Sequence, residues 1–279
     1  MASVTLLDKR TPAPATARSI RIAILAMGGE GGGVLADWLV EMAQANGHLA
    51  QMTSVPGVAQ RTGATIYYVE MFPEAAARGR EPVLALMPVP GDVDVVVCSE
   101  LMEAGRAIQR GIVTPDRTTL VASTHRVFAM TEKIAMADGR VDEKALLEAC
   151  RAASEKLVAF DMQRVAERSG SVISAALFGA LAASDALPFP REAFERTIEH
   201  GGIGVTASKR AFAAAFARAN GEPEPAQPEE ASPTPAAPQS SAALVAEAEA
   251  LFAPEAMEVI RTGIARCLDH QDLAYARLY

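Results

Sequence analysis

A run of glycines is the first feature of this sequence that could do chemistry. Residues 28–33 read GGEGGG, and they stand between an apolar stretch at 21–27 and a pattern of helical spacing that starts at Val34. A strand, a glycine turn and a helix start leave free N–H groups and the positive end of the helix dipole facing outward. Glycine suits such a turn because it adopts positive φ and lets a ligand or a partner approach the backbone. The run predicts a site for a phosphate-bearing ligand, a contact with a partner subunit, or a turn that only allows close strand–helix packing.

A dinucleotide site is a further interpretation of the same turn. Gly31, Gly33 and Ala36 match the spacing G-x-G-x-x-A, although the match is shifted toward the helix. An acidic residue that holds the ribose should follow about 20 positions later. Residues 42–69 contain no Asp or Glu. A free-standing NAD(P)- or flavin-binding oxidoreductase therefore stays an alternative, and the missing carboxylate opposes it.

Arg61 is the first candidate among the side chains. It lies in a connection between two predicted strands, where functional groups tend to occur. Its planar guanidinium suits a carboxylate or a phosphate. The alternative is an ordinary surface arginine in contact with water.

Glu100 follows a predicted strand that ends at Cys98. Ligands of open α/β sheets bind outside the carboxyl ends of the strands, which favours a site role for this carboxylate. Glu100, Glu103 and Arg106 also share one face of a predicted helix, so Glu100 could equally start the helix ahead of an ion pair. Cys98 is expected to be buried rather than nucleophilic.

His125 and Asp161 end two further predicted strands. A lone histidine without an Asp or Cys close by in sequence is more typical of a structural or surface group than of a catalytic one. Asp161 is expected to cap the helix that follows it.

The elements that position these residues follow from the hydrophobic pattern. Short apolar runs alternate with stretches of helical periodicity, which predicts an α/β fold with a Rossmann-like, doubly wound, mostly parallel sheet. Pro88 and Pro90 make 83–91 an edge strand or a loop. The predicted strands are 21–27, 49–55, 63–72, 93–98, 118–123 and 156–161, and the predicted helices are one from Val34, then 100–110, 142–154, 171–184, 190–200, 204–219, 242–252 and 254–269.

Composition divides the chain into four parts. Residues 1–20 are polar and predict a flexible arm, and 21–220 have the pattern of a globular α/β domain. Residues 221–241 hold six prolines and four glutamates without Lys or Arg, which predicts a disordered linker. Residues 242–279 predict a helical docking tail.

Charge and cysteine content exclude several classes of protein. Lys and Arg number 26 against 34 Asp and Glu, a balance that argues against nucleic acid as the main partner. The three cysteines have no CxxC spacing, so a disulfide framework, a zinc site and a self-contained iron–sulfur cluster are not expected. No signal peptide or membrane span is recognisable, which predicts a cytoplasmic protein.

Three segments together resemble one enzyme family. The turn at 27–31 is similar to the GVGGQG-type turn of the gamma domain of 2-oxoacid:ferredoxin oxidoreductases, with Glu30 where Gln is usual and Ala26 where the first Gly is usual. Residues 57–63, GVAQRTG, resemble the HGMAQRGG segment of the indolepyruvate oxidoreductase beta subunit, with Pro56 in place of the His and Thr62 in place of a Gly. Residues 100–106 resemble that family's E-x-x-E-x-x-R helix start. The resemblance covers roughly residues 20–219.

The resemblance implies a role in a larger enzyme. The family oxidatively decarboxylates an aryl 2-oxoacid such as indolepyruvate to an acyl-CoA and CO2, with coenzyme A as co-substrate and ferredoxin as electron acceptor. It implies that thiamine diphosphate, Mg²⁺ and 4Fe-4S clusters are held by a partner alpha subunit, against which this Rossmann-like beta subunit packs. Without that partner the chain is expected to be inactive and to bind none of these cofactors.

The predicted site lies on two turns and a helix start. We predict that these residues complete the cleft at the subunit boundary or contact a ligand or the partner. A purely structural assembly subunit, with no residue near the chemistry, stays a third hypothesis. The predicted site residues are Gly28, Gly29, Glu30, Gly31, Gly32, Gln60, Arg61, Thr62, Gly63 and Glu100.

Overall fold

A computed structural model describes residues 18–56, 64–128, 130–134, 139–202, 204–222, 241–270 and 272–278. These residues form two compact units that divide after residue 224.

A six-stranded mixed sheet forms the centre of the first unit. The strands are β1 (Ile20–Ala26), β2 (His48–Val55), β3 (Thr65–Pro73), β4 (Val95–Cys98), β5 (Thr119–Ser123) and β6 (Lys156–Phe160). Their order across the sheet is β2-β3-β1-β4-β5-β6. β1, β4, β5 and β6 pair in parallel, whereas β3 is antiparallel to both of its neighbours.

Helices cover both faces of the sheet. They are α1 (Gly32–Ala45), α2 (Glu74–Ala77), α3 (Leu101–Gln109), α4 (Met130–Lys133), α5 (Glu143–Ala153), α6 (Met162–Arg168), α7 (Ile173–Ala183), α8 (Arg191–His200) and α9 (Val205–Ala219). Ile22, Ile24 and Val97 face one apolar core together with α1 and α6 to α9. Ala23 and Leu25 face the other core, with α3 and α5. The predicted α/β, doubly wound, mostly parallel fold is confirmed.

The predicted strands and the longer helices agree with the structure to within about three residues at each end. Residues 83–91 form a loop, because the prolines at 88 and 90 cannot donate to a ladder. Pro190, the first residue of the predicted helix 190–200, is the N-cap of α8, which begins at Arg191. Val34 is exposed, so the buried stripe of α1 is narrower than its apolar pattern indicates.

α7 is the helix that the other elements surround. Its sequence is almost wholly apolar, and the buried helix predicted at 171–184 is confirmed. Phe178 contacts Trp38 of α1, Phe194 of α8 and Phe212 of α9, with ring centroids 5.4, 4.7 and 6.1 Å away. Gly179 allows α9 to approach closely, because a Cβ there would lie 2.2 Å from the carbonyl oxygen of Phe212.

The second unit contains α10 (Ala242–Leu251), a short 3-10 turn (Pro254–Ala256), α11 (Met257–His270) and α12 (Leu273–Leu278). Its small core includes Leu244, Met257, Ile264 and Ala276. The apolar stripe of α11 therefore packs within this unit, as its periodicity predicts. α12 is a third helix that the sequence pattern did not predict.

Candidate functional site

The candidate site lies where β1 and β4 end, at the centre of the sheet. The chain leaves β1 toward α1 on one face and leaves β4 toward α3 on the other. Such a switch point opens a crevice outside the carboxyl ends of the strands, where ligands of α/β proteins bind. The glycine turn, Ser99 with Glu100, and His125 with Arg126 come together there.

The glycines of the turn have two different uses. Gly29 and Gly31 adopt φ of 90° and 69°, which favours glycine at both positions. A Cβ on Gly32 would lie 2.5 Å from Cβ of Ala26 and 2.7 Å from the Tyr67 ring, so this glycine serves packing. A Cβ on Gly28 or Gly29 would meet nothing within 4 Å. The open side of the turn is therefore formed by Gly28 and Gly29.

Glu30 folds back from the turn and joins three elements. Its Oε2 accepts hydrogen bonds from the hydroxyl of Ser99, which follows β4, and from the Met27 N–H at 3.2 Å. Its Oε1 lies 3.5 Å from Nε2 of His125, which follows β5. From the sequence, Glu30 is interpreted as part of the turn and His125 as a histidine without a partner close by. In the folded structure their side chains form a pair.

Ser123 sets the orientation of the His125 ring. Ser123 Oγ lies 2.8 Å from His125 Nδ1 and accepts the N–H of Met162 at 3.0 Å. We assign the Ser123 hydroxyl as donor to Nδ1, which leaves the proton of the neutral ring on Nε2, toward Glu30. The order serine, histidine, carboxylate resembles that of a hydrolase triad. Ser123 is fully buried, however, so no substrate reaches its oxygen and the arrangement orients His125.

The carboxyl group of Glu30 is held in its charged form. Burial by itself would raise its pKa, but the hydrogen bonds from His125, Ser99 and the Met27 N–H more than offset this, and the pKa of Glu30 is lowered from its ordinary value of 4.5. The Glu30 side chain of the turn therefore carries a negative charge at neutral pH.

We expect Glu30→Gln to lower the free energy of unfolding at pH 7 by about 1 kcal/mol, the net value of a lost charge-assisted hydrogen bond. A lowered carboxyl pKa stabilises the fold above the ordinary pKa, and this stabilisation is lost as the pH falls through the lowered value. The deficit of the variant should therefore shrink below pH 4.5. Urea unfolding between pH 3.5 and 7.5 measures this deficit. The control is Glu148→Gln, a substitution of an exposed glutamate. An equal deficit at all pH values would contradict the role assigned to this carboxylate.

Comparison with known proteins identifies the first unit. Residues 21–218 match the family described as pyruvate ferredoxin/flavodoxin oxidoreductase, which is well over half of the chain. The chain belongs to this oxidoreductase family. No curated protein matches it.

One solved structure agrees with the family at the level of the fold, and two further structures show a weaker likeness. A subunit of pyruvate oxidoreductase from Thermotoga maritima is 21% identical, with a TM-score of 0.50 over 71% of this chain and 95% of that one. The gamma subunit of a keto/oxoacid ferredoxin oxidoreductase from Geobacter sulfurreducens is 16% identical, covers 74% of this chain and 99% of its own, and has a TM-score of 0.48. The 2-oxoglutarate:ferredoxin oxidoreductase of Magnetococcus marinus is 16% identical, covers 75% of this chain and 32% of its own, and has a TM-score of 0.48.

The family match favours a subunit of a 2-oxoacid oxidoreductase complex over the free-standing dinucleotide enzyme. The structure adds a physical reason, because β2 ends at Val55 without an acidic side chain and pairs with the antiparallel β3. The ribose carboxylate of a dinucleotide site is therefore missing from its usual place.

Glu100 is the N-cap of α3 in this oxidoreductase domain. Its carboxylate accepts the N–H groups of Met102 at 2.9 Å and Glu103 at 3.0 Å. Glu103 forms the expected ion pair with Arg106. Burial raises the pKa of both carboxyl groups. The helix-start interpretation of Glu100 is confirmed, and its role toward a ligand stays a prediction.

Arg126 is a feature of the site that the sequence did not indicate. It is 5% exposed, and its Nη2 donates to Glu132 at 2.6 Å while its Nε faces Glu100 at 3.9 Å. That Nε has no hydrogen-bond partner among the described residues. Only its position next to His125 at a strand end could have pointed to it.

The structure confirms two further predictions, and four of the predicted site residues lie outside the part of the chain that it describes. Asp161 caps α6 by accepting the N–H of Arg164 at 2.9 Å, as predicted. Cys98 is fully buried, and burial raises the pKa of its thiol well above the ordinary value, which agrees with an inert core cysteine. Gln60, Arg61, Thr62 and Gly63 lie outside the described residues. The adjacent Ala64 N–H is bonded to Glu103.

Among the described ranges, no three His, Cys, Asp or Glu side chains come together in a way that could hold a metal ion. No helix in the described part of the chain has the length and apolar character needed to cross a membrane.

Proposed function

We propose that this chain is the beta subunit, which does not bind thiamine, of an indolepyruvate-type or other aryl-2-oxoacid:ferredoxin oxidoreductase. The complex would oxidatively decarboxylate a 2-oxoacid to an acyl-CoA and CO2, with reduction of ferredoxin, in the cytoplasm. The observation that carries the proposal is the family match over residues 21–218. The three motifs add support, because two of them lie together at the carboxyl ends of β1 and β4.

The cofactors are proposed to lie on a partner alpha subunit. Thiamine diphosphate with Mg²⁺ would supply the carbanion chemistry there, and 4Fe-4S clusters would carry the electrons. The described cysteines do not fit a cluster, because Cys98 in β4 and Cys150 in α5 are buried in the core and the third, Cys267, belongs to α11 of the second unit.

The residues of this chain would bind and position. The glycine turn presents N–H groups beside Glu30 and His125, which are joined in one hydrogen-bond network and so hold their geometry. Arg61, in the 57–63 segment, would contact a 2-oxoacid carboxylate, a coenzyme A phosphate or the partner backbone. Glu103 bonds the backbone at Ala64, where that segment joins β3.

Purification of the tagged chain from its native cell tests the proposal. We expect a larger partner with bound thiamine diphosphate and iron–sulfur absorbance to co-purify, and the complex to reduce ferredoxin with an aryl 2-oxoacid and coenzyme A. The isolated chain should be inactive. Micromolar binding of NADH or NADPH by the isolated chain in equilibrium dialysis, with no partner, would contradict the proposal.

We expect Arg61→Ala to lower kcat/KM of the complex roughly 30-fold, which corresponds to about 2 kcal/mol for a hydrogen bond to a charged group. The purified complex is assayed with saturating and limiting 2-oxoacid and coenzyme A in turn, since the co-substrate whose KM rises is the one that the arginine contacts. Arg80→Ala, another loop arginine, is the matched control. Unchanged turnover together with unchanged assembly would remove the residue from the site.

A further inference from the structure

One face of the sheet is covered by helices over only part of its width. α3 packs against β1, β4 and β5, and α5 packs against β6. Tyr68 and Glu70 of β3 lie on the same face, since Tyr68 is in register with Ala23 of β1, which faces the core of α3 and α5. The loop between α2 and β4 covers this part of the sheet in place of a helix.

Glu70 fixes this loop to the sheet. One oxygen of its buried carboxylate accepts the N–H of Ala85 at 2.7 Å and the hydroxyl of Tyr68 at 3.2 Å. The other oxygen forms a salt bridge with Arg21, whose Nε lies 3.3 Å away. Both oxygens of the buried group therefore have donors, and such a satisfied network holds the loop backbone in one conformation.

Two side chains of the edge strand β2 hold the same loop. Gln51 Nε2 donates to the carbonyl oxygen of Ala85 at 3.4 Å, and Thr53 Oγ1 donates to that of Leu86 at 2.5 Å. Val55 is two positions farther along β2, so it points to the same face, and it is exposed. The loop therefore runs along β2 toward the carboxyl end of that strand.

The outer side of this loop is an apolar surface. Residues 82–90, which we call the apolar loop, read PVLALMPVP and contain no charged side chain. Four residues of the apolar loop are each more than half exposed, namely Val83, Leu86, Met87 and Val89. They present roughly 400 Å² of apolar surface, which is as much as the largest patch on a typical monomeric protein. Apolar side chains displayed on a fixed backbone are typical of a protein interface.

Three prolines restrict how a partner can bind the apolar loop. Pro82, Pro88 and Pro90 have no N–H group, and the N–H of Ala85 is already bonded to Glu70. A strand of another chain therefore cannot form a continuous ladder with this loop. Recognition has to come from the side chains, and the complementary surface is an apolar one that buries no charge.

The size of the apolar loop argues against a second copy of this chain as its occupant. Two such loops in contact would bury about 800 Å² in total, whereas stable interfaces bury about 1,200–2,000 Å². A stable partner must therefore cover neighbouring surface in addition to the apolar loop.

The neighbouring surface is the crevice at the carboxyl end of β1. Val55, next to the apolar loop, is in register with Ile66 of β3. Ile66 is in register with Leu25 of β1, one residue before that strand ends at the glycine turn. Two strand spacings amount to about 10 Å. A partner that closes the crevice, as the proposed function requires, therefore reaches the apolar loop as well.

We propose that the apolar loop binds an uncharged, apolar surface of the partner alpha subunit, as part of the same interface that closes the crevice. The inference rests on the proposed function for the identity of the partner. It adds a contact surface outside the three sequence motifs, and it assigns this surface to assembly rather than to the chemistry.

Leu86→Glu tests the apolar loop, because it places a charge within the patch and leaves the buried side of the loop unchanged. The tagged full chain is purified with its partner from the native cell, and the affinity of the two subunits is then measured with the separated proteins. We expect the variant to bind the alpha subunit about 30-fold more weakly, the effect of losing a central apolar contact. Leu86→Met keeps an apolar side chain and should bind as the unsubstituted chain does.

Ile134→Glu is the matched control, since Ile134 and Leu86 are both 67% exposed. Circular dichroism should show the same thermal unfolding midpoint for both glutamate variants and the unsubstituted chain, because neither side chain belongs to the core. Hydrogen exchange gives a second measurement that requires no substitution. The amides of residues 81–91 should exchange more slowly in the complex than in the isolated chain, since a covered segment opens to solvent less often.

Three results would overturn the surface or its occupant. Unchanged affinity of Leu86→Glu, or unchanged hydrogen exchange of residues 81–91 in the complex, would remove the apolar loop from the interface. An equal loss of affinity with Ile134→Glu would show that any added surface charge disrupts assembly. A dimer of this chain that Leu86→Glu abolishes in analytical ultracentrifugation would make a second copy the occupant.

These failures differ from a failure of the proposed function. Each of them leaves the subunit assignment intact, because that is decided by the thiamine diphosphate and the ferredoxin reduction of the unsubstituted complex. If the unsubstituted chain co-purifies with no such partner, the proposed function and the occupant of the apolar loop are overturned together.

Discussion

Gly179→Ala is expected to lower the free energy of unfolding of the first unit by about 3 kcal/mol. The added methyl group would lie 2.2 Å from the carbonyl oxygen, 2.9 Å from the carbonyl carbon and 3.0 Å from Cα of Phe212. All three are backbone atoms of α9, so the clash is relieved only if the two helices move apart. That movement would loosen the contacts of Phe178 with the helices around it. The gain of up to about 1 kcal/mol in helix propensity does not offset this.

Gly105→Ala in α3 is the matched control. The added Cβ would lie 2.7 Å from Cδ1 of Leu146, the mobile end of a long side chain. A rotamer change relieves this contact, so we expect a change within about 1 kcal/mol, with the gain in helix propensity on the favourable side. Urea unfolding followed by circular dichroism measures both variants. If the two variants were equally stable, α7 and α9 would not approach each other closely at Gly179.

Arg126→Met is expected to destabilise the fold by about 3 kcal/mol at pH 7.5, because two buried carboxylates lose the cation that lies beside them. The guanidinium lies beside Glu132 and Glu100, whose side chains are 3% and 1% exposed. Methionine retains most of the volume, so the loss reports the charge rather than a cavity. Arg126→Lys keeps the positive charge, so its free energy of unfolding should fall by less than that of Arg126→Met.

The pH dependence of this variant follows from the same burial. Burial already raises the pKa of Glu100, and Arg126 acts in the opposite direction, so the substitution should raise that pKa further. A carboxyl group whose pKa is raised in the folded state destabilises the fold above its ordinary pKa of 4.5, and this cost falls as the pH drops and the group is protonated. The deficit of Arg126→Met should therefore be smaller at pH 5 than at pH 7.5. A deficit that does not change over this range would show that the guanidinium acts through packing alone.

The sequence predicted most elements because their signals are local. β4 and β5 are continuous apolar runs, and α1 and α9 have clear helical spacing, so each was found from a window of neighbouring residues. The short α2 and α4 were not found, since four residues carry too little periodicity. The direction of β3 was not predicted either, because an apolar run has the same pattern in both directions.

The candidate site was found in part for a similar reason. Glycine next to a strand end is a local signal, and Asp161 before a helix is another. The pairing of Glu30 with His125 joins residues 95 positions apart in sequence, and the contact of Gly31 with Ser174 joins residues still farther apart. The residues next to His125 and Ser174 in the sequence do not indicate which distant residue either side chain will contact.

By itself the sequence determined that the chain is an α/β domain with a glycine turn after its first strand, and that three segments in order resemble motifs of 2-oxoacid oxidoreductases. The tertiary structure alone decided that β1 lies next to β4, which brings the ends of β1, β4 and β5 to one crevice. It also decided that α7 begins against α1, with an unpartnered hydroxyl between them. The physical reason is that periodicity and capping depend on residues within a few positions, whereas strand order and helix contacts depend on how distant apolar faces are buried together.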